Sequence, residues 1–476
     1  MRLRQAAALT TAFVLVLTAC GRGDDDDDSA ATTPTTASAA TDAPDTSDTS
    51  PATTATEDTS GTETTGAPDT TAPAEGGAGS FGTLTDVCGP GDASGATDVG
   101  VTDTEIHVAT ISDPGFPQAP GLNRELFDAA DAFVGWCNAA GGINGRQLVV
   151  DKLDAKITDY KPQIDIACES ALALVGDGGL GDVAGVADRV ACGLPSFNGF
   201  TASPQAQDAE LQWAVQPNMT DQFNPGPAMG LMEKTFPGVL QGYGSLVAGE
   251  GLANIQQRNN MGVEALGGQA VYDGIFQSAG EASWAPFVES MTNSGVKSLF
   301  YIGDEYNLTA LVQAMQTADK FPEVLITSPN IYTQTFLQAA GEAGDGKVYI
   351  YSLSIPFEEA DQYPVMQQYL DIMAEYAPDA PITHLGVTGW SSWLYFAQAA
   401  KACGSDLSRE CLATEAQKVT EWDAGGLQVK TNPAENRISE CAMLLQLTKD
   451  GYKRVAPAEG FDCDPSWIVP LPKFEG

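Results

Sequence analysis

Few residues in this chain have the types and spacing that chemistry requires. Leu17-Thr18-Ala19-Cys20 is the sharpest case: an apolar run from Ala6 to Leu17 follows Arg2 and Arg4, and small residues precede the cysteine. That order predicts export, cleavage before Cys20 and acylation of its sulfur; an ordinary secretory signal shares the basic start and the apolar core. The run is about twelve residues where a membrane span takes roughly 20, so it reads as a signal rather than a spanning anchor. Eight further cysteines remain, and an even number in an exported chain points to disulfides. Sequence alone does not fix the pairing, but clustering suggests Cys88 with Cys137, Cys168 with Cys192, Cys403 with Cys411, and Cys441 with Cys463. Catalytic patterns are missing: there is no G-x-S-x-G elbow, H-E-x-x-H or phosphate loop. His107 and His384 lie far apart and no C-x-x-C occurs, so neither metal nor cofactor is expected. Paired carboxylates are too abundant to be informative.

The elements around these residues divide the chain. Residues 1–19 read as the signal, and 20–80 as a disordered tether: Gly21 to Ser80 is almost all Thr, Ala, Ser, Pro, Gly and Asp, with no aromatic residue. Such a segment cannot bury enough apolar surface to offset its ordering entropy. From Phe81 the chain is long enough for two domains. The net charge of −40 argues against nucleic acid and against adsorption to an anionic membrane surface. Apolar alternation from Ile106 to Ile111 predicts a strand. A helix through Leu126, Ala130, Phe133 and Cys137 then closes at Gly141-Gly142, Asn144-Gly145 turns, and Leu148-Val149-Val150 opens the next strand. Strands and helices alternate in two such series, which predicts parallel sheets covered by helices on both faces. Helices are expected over Tyr363–Tyr376, His384–Cys403 and Glu410–Glu421, the middle one buried by its aromatic stripe, and strands over Gly426–Val455.

The run Gly100-Val101-Thr102-Asp103-Thr104-Glu105-Ile106, followed after a helix by Gly141-Gly142-Ile143-Asn144-Gly145-Arg146, resembles the type I periplasmic binding proteins. The nearest subgroup is the branched-chain amino-acid-binding one associated with ABC transporters. The resemblance covers roughly Asp98 to Pro457 and implies two Rossmann-like α/β lobes joined by three crossing segments, near Gln212–Asn218, Tyr349–Pro356 and Gly426–Val429. Lobe 1 is then 81–216 with 352–428, and lobe 2 is 217–351 with 429–476. A small solute sits between them, at loops outside the carboxyl ends of the strands. Those loops carry Asp113, Phe116, Gly178, Gly179, Asn198, Gly199, Phe200 and Thr201 in lobe 1. In lobe 2 they carry Glu250, Asp304, Glu305, Tyr306, Asn330 and Tyr332. Gly178 and Gly179 let backbone N–H groups approach an anion, Thr201 adds a donor, and Asp304 or Glu305 takes an ammonium. Phe116, Phe200, Tyr306 and Tyr332 wall an apolar body.

The resemblance departs at Ala248, where amino-acid binders carry tyrosine, and at Pro329-Asn330, where they carry an acid. An amino acid is the default solute; a short amide, a peptide-like molecule or a carboxylate fits as well. The implied protein is a monomer, lipid-anchored on the extracytoplasmic face of a bacterial membrane, handing its solute to permease subunits with a cytoplasmic ATPase. A ligand sensor of the same fold and an extracellular enzyme are the alternatives.

Overall fold

The computed structural model describes residues 77–473; the predicted signal, Cys20 and most of the tether lie outside the described residues. Packing starts slightly ahead of Phe81. Ser80 is buried, its carbonyl accepting Gln368 Nε2 and its hydroxyl the Asp86 N–H, each at 2.8 Å.

Five parallel strands form the first sheet: β1 (Glu105–Ser112), β2 (Gln147–Asp154), β3 (Leu174–Asp177), β4 (Ser196–Asn198) and β5 (Gln212–Ala214), in the order β2-β1-β3-β4-β5. Ile106, Val108, Ala109 and Ile111 of β1 are all fully buried, the pattern of a parallel strand covered on both faces. Helix Glu125–Ala139 packs against helix His384–Cys403, which returns to this lobe from the second half of the chain. Phe133 of the first stacks on Trp393 of the second, ring centres 5.4 Å apart, and meets Trp390 edge-on at 5.1 Å. The returning helix begins where Thr383 Oγ1 accepts the Gly386 N–H at 3.1 Å and stops at Gly404, whose φ of +56° suits glycine.

The second sheet contains β6 (Tyr243–Ala248), β7 (Ala270–Phe276), β8 (Ser298–Ile302), β9 (Val324–Thr327), β10 (Val348–Ser352), β11 (Cys441–Thr448) and β12 (Gly451–Ala456), ordered β12-β11-β10-β9-β8-β6-β7. The short β13 (Asp462–Cys463) pairs with β11. Strands β6 to β10 are parallel, while β11 and β12 form an antiparallel border. The strands expected from Gly426 arrive late. Ahead of them Asp423 Oδ1 accepts the Gly425 N–H at 3.0 Å and Asn432 Oδ1 that of Glu435 at 3.1 Å, setting the short helical turns Ala424–Gly426 and Pro433–Glu435 instead. The helix expected to reach Glu421 likewise ends at Ala416.

Three segments cross between the sheets and bond to one another. The Ile355 N–H donates to Leu427 O at 3.0 Å and the Val429 N–H to Leu353 O at 2.9 Å. Val215 O, from the first crossing, accepts both Thr431 Oγ1 at 2.7 Å and Gln428 Nε2 at 3.1 Å. All four suggested disulfides form: Cys88–Cys137, Cys168–Cys192, Cys403–Cys411 and Cys441–Cys463.

Candidate functional site

The carboxyl ends of β1, β3 and β4 bring the lobe 1 candidates together, and their polar side chains bond mostly to neighbouring strands and loops. Asp113 is fully buried, and its carboxylate accepts the Ile157 N–H at 2.6 Å and the Leu180 N–H at 2.7 Å, tying two loops. Asn198 donates through Nδ2 to Asp177 Oδ2 at 3.0 Å and is buried as well. Thr201 Oγ1 lies 2.7 Å from Gln207 Oε1 and 2.6 Å from Asn218 Oδ1, linking its loop to the first crossing segment. The glycines serve close packing. The Gly178 N–H is taken by Ile111 O at 2.9 Å, and a Cβ there would stand 2.9 Å from that of Phe200. One on Gly179 would stand 2.9 Å from the Tyr160 ring, and one on Gly199 2.9 Å from Leu126 Cδ2. Asp113, Asn198 and Thr201 therefore shape the loops instead of offering free hooks, and the anion role given to Gly178 gives way to packing. Phe116 and Phe200 remain half-exposed.

In lobe 2, Asp304 caps helix Glu305–Ala318. Its Oδ1 accepts the Asn307 N–H at 2.9 Å and its Oδ2 the Asn307 side-chain amide at 2.7 Å. The carboxylate is thus engaged in capping while remaining exposed. Glu305 is held by the Thr333 hydroxyl. Tyr332 is buried: it stacks on Phe357 at 4.7 Å, accepts the Phe357 N–H at 3.0 Å and donates to Glu358. Its ring and hydroxyl are both engaged with the segment Phe357–Glu358. Phe357 packs against the cores of both lobes. Burial raises the Glu358 carboxyl above the usual range, and the Tyr332 hydroxyl pulls it partly back. Glu250, Tyr306 and Asn330 are exposed on the same set of loops, Tyr306 at 75 %.

One residue at the site escaped the sequence. Glu125 opens helix Glu125–Ala139, where an acid is an ordinary helix-start feature. Burial lifts its carboxyl above the usual range, and the charges of Asp128 and of Glu305, across in the other lobe, push the same way. The lobes also meet where helix His384–Cys403 approaches Pro329–Ile331. His384 is buried there with Nδ1 unpartnered, and desolvation pulls it down to about 4, so it stays neutral. Among the described residues no cluster of three or more His, Cys, Asp and Glu side chains suits a metal.

The same two-lobed arrangement recurs in solved structures. A family model for periplasmic binding proteins matches residues 253–452. A fatty acid ABC transporter substrate-binding protein from Thermomonospora curvata superposes with TM-score 0.65 at 16 % identity, covering 81 % of this chain and all of its own. A leucine-binding protein from Thermotoga maritima gives 0.58 at 14 %, covering 74 % of this chain and 97 % of its own. An isoleucine complex of a branched-chain amino acid transporter substrate-binding protein from Streptococcus pneumoniae gives 0.58 at 16 %, covering 74 % and 100 %. No protein of curated function matches the sequence. The chain has the type I periplasmic binding protein fold, as its opening motifs implied.

Proposed function

We propose that this protein is the extracytoplasmic solute-binding lipoprotein of an ABC importer, capturing a small solute between its lobes and presenting the closed form to permease subunits. One observation carries the reading: three crossings, the third bonded to each of the other two, join two parallel-sheet lobes, and the Glu305 charge of one lobe reaches Glu125 of the other. A hinge of that kind lets a ligand bias an open–closed equilibrium without any bond being made or broken in the protein. The side chains left for the solute are Phe116, Phe200, Glu125, Glu250, Glu305, Tyr306 and Asn330. A branched-chain or other amino acid is the default solute. A carboxylate with a longer apolar body is the second reading, favoured by the apolar side chains Leu180, Tyr306, Phe116 and Phe200 left exposed or half-exposed on the candidate loops.

Mass spectrometry of small molecules released from the purified protein tests the proposal directly. Recovery of an unmodified solute, with a contraction in solution scattering when it is added back, supports capture. A chemically converted compound overturns it. Acyl chains on the mature N-terminal cysteine test the anchor separately.

A further inference from the structure

Behind the cleft loops of lobe 1 lies a small cavity that the solute site does not use. Helix Tyr160–Ser170 covers it with Tyr160, the ends of β3 and β5 contribute Asp177 and Gln212, the short helical turn after β3 contributes Asp182, and the helix Val186–Ala191 that follows contributes Arg189. Its volume is about 10 Å³, and one water takes up roughly 10–15 Å³ on the same measure.

The lining contains two deeply buried polar groups with unfilled bonding capacity. Asp182 is 4 % exposed and Gln212 is 7 % exposed. The second carboxylate oxygen of Asp182 accepts the Ala202 N–H at 2.7 Å and the Ser203 N–H at 3.2 Å. Burial raises this carboxyl, and the Ser203 hydroxyl, then the backbone N–H groups of Ala202, Ser203 and Val183, draw it back down; its Oδ1 has no hydrogen-bond partner of good geometry. Gln212 Nε2 has none either. A buried acceptor and a buried donor left in that state are each destabilising, because neither recovers the hydrogen bonds it had with solvent.

We infer that this cavity is a binding site for a single internal water molecule, which donates to Asp182 Oδ1 and accepts from Gln212 Nε2. Water is the ligand class that answers both atoms at once. A metal cation or ammonium ion meets the carboxylate but faces the Gln212 amide hydrogens and the Arg189 guanidinium. An anion meets two carboxylates. The Arg189 guanidinium is itself committed to the carbonyls of Leu194 and Leu211 at 2.9 Å and of Glu210 at 3.0 Å, so it does not satisfy Asp182. The water ties the turn after β3 to β5. That turn supports the loop at Ala202 and Ser203, and β5 runs directly into the crossing at Val215. The bridge therefore joins a cleft-side loop to the hinge through the body of lobe 1.

A crystal structure of the full body at about 1.5 Å resolution tests the site. One peak within 2.7–3.2 Å of both atoms, the ordinary hydrogen-bond range, is the expected result. An empty cavity overturns the assignment, as does a peak with the shorter contacts of a coordinated cation. A double-mutant cycle with Gln212→Met and Asp182→Asn gives an independent reading, since the two atoms share no direct bond. Coupling of about fivefold to tenfold in the unfolding equilibrium constant is expected from a shared water, and additive effects overturn the bridge. If either variant fails to fold, the wild-type density still decides.

Discussion

Asp177 gives the most exacting test of the interior of lobe 1. It ends β3, is fully buried, and is raised from its usual value near 3.8 to about 6 because burial disfavours its charge. Ser196 Oγ at 3.0 Å and Arg189 offset part of that cost. The gap between 3.8 and about 6 corresponds to about 3 kcal/mol carried by the charged form. The sign follows from the direction: the folded protein holds this proton more tightly than the unfolded chain. Its contribution is complete below pH 3.8 and is lost as pH rises through about 6. Asp177→Asn fixes the neutral state and can keep the bond from Asn198 Nδ2. Urea unfolding of both proteins from about pH 4.5 to 7.5 should show the advantage of the variant growing by about 2 kcal/mol across that window. Of the other raised carboxyls, Glu125, Asp128 and Glu358 titrate in both proteins and cancel in the difference, while Asp182, whose charge acts on Asp177, titrates with it, so the difference reports the pair. A difference that does not vary with pH would refute the reasoning.

Four further outcomes are expected. Arg146→Ala removes bonds to Thr102 O and Gly404 O at 3.0 Å and to Gly95 O at 3.1 Å; it should cost about 2–4 kcal/mol by urea titration, with solute affinity unchanged in what still folds. Among the disulfides, replacing Cys88 and Cys137, 49 residues apart, should cost about 4 kcal/mol, and replacing Cys403 and Cys411, eight apart, about 2.5 kcal/mol; calorimetry of the two double-serine variants in non-reducing buffer reads the ranking. Glu125→Gln should flatten the pH dependence of lobe closure: Glu125 is raised in the folded form, so the arrangement facing Glu305 is favoured at acid pH and weakens as pH rises, and scattering profiles across pH check it. Asp304→Asn should leave solute affinity within about twofold while Glu305→Gln lowers the affinity for a cation-headed solute at least tenfold by calorimetric titration, because Asp304 caps a helix and Glu305 is held at the helix head by a single hydroxyl.

The fold was legible because its signals are local and repeated. Ile106 to Ile111 alternates as a strand, Gly141-Gly142 takes φ of +113° and +78°, and Asn144-Gly145 takes +50° and +90°. Those backbone angles are what glycine and asparagine allow, so the motif announces itself. The same motif did not announce its task. Arg146 is 1 % exposed, and its guanidinium joins three carbonyls at the amino end of the first sheet, opposite the end where the candidate loops gather. The motif that carries the resemblance is thus a structural clasp.

The site was harder to read because polar residues at the carboxyl ends of parallel strands serve two competing ends. A loop leaving a buried strand needs acceptors for its own N–H groups, and the residue types that supply them are those that grip a ligand. Asp113 bonds Ile157 and Leu180 and Asn198 bonds Asp177 through partners no spacing rule reveals, whereas Asp304 bonds Asn307 three residues on, as a local helix cap. The reverse error has the same origin. Glu125 reads as an unremarkable helix-start acid until a residue 180 positions later, Glu305, is placed across from it, and only the crossing of the chain between the lobes does that. Long-range pairing decides which carboxylates are committed and which still face the solute.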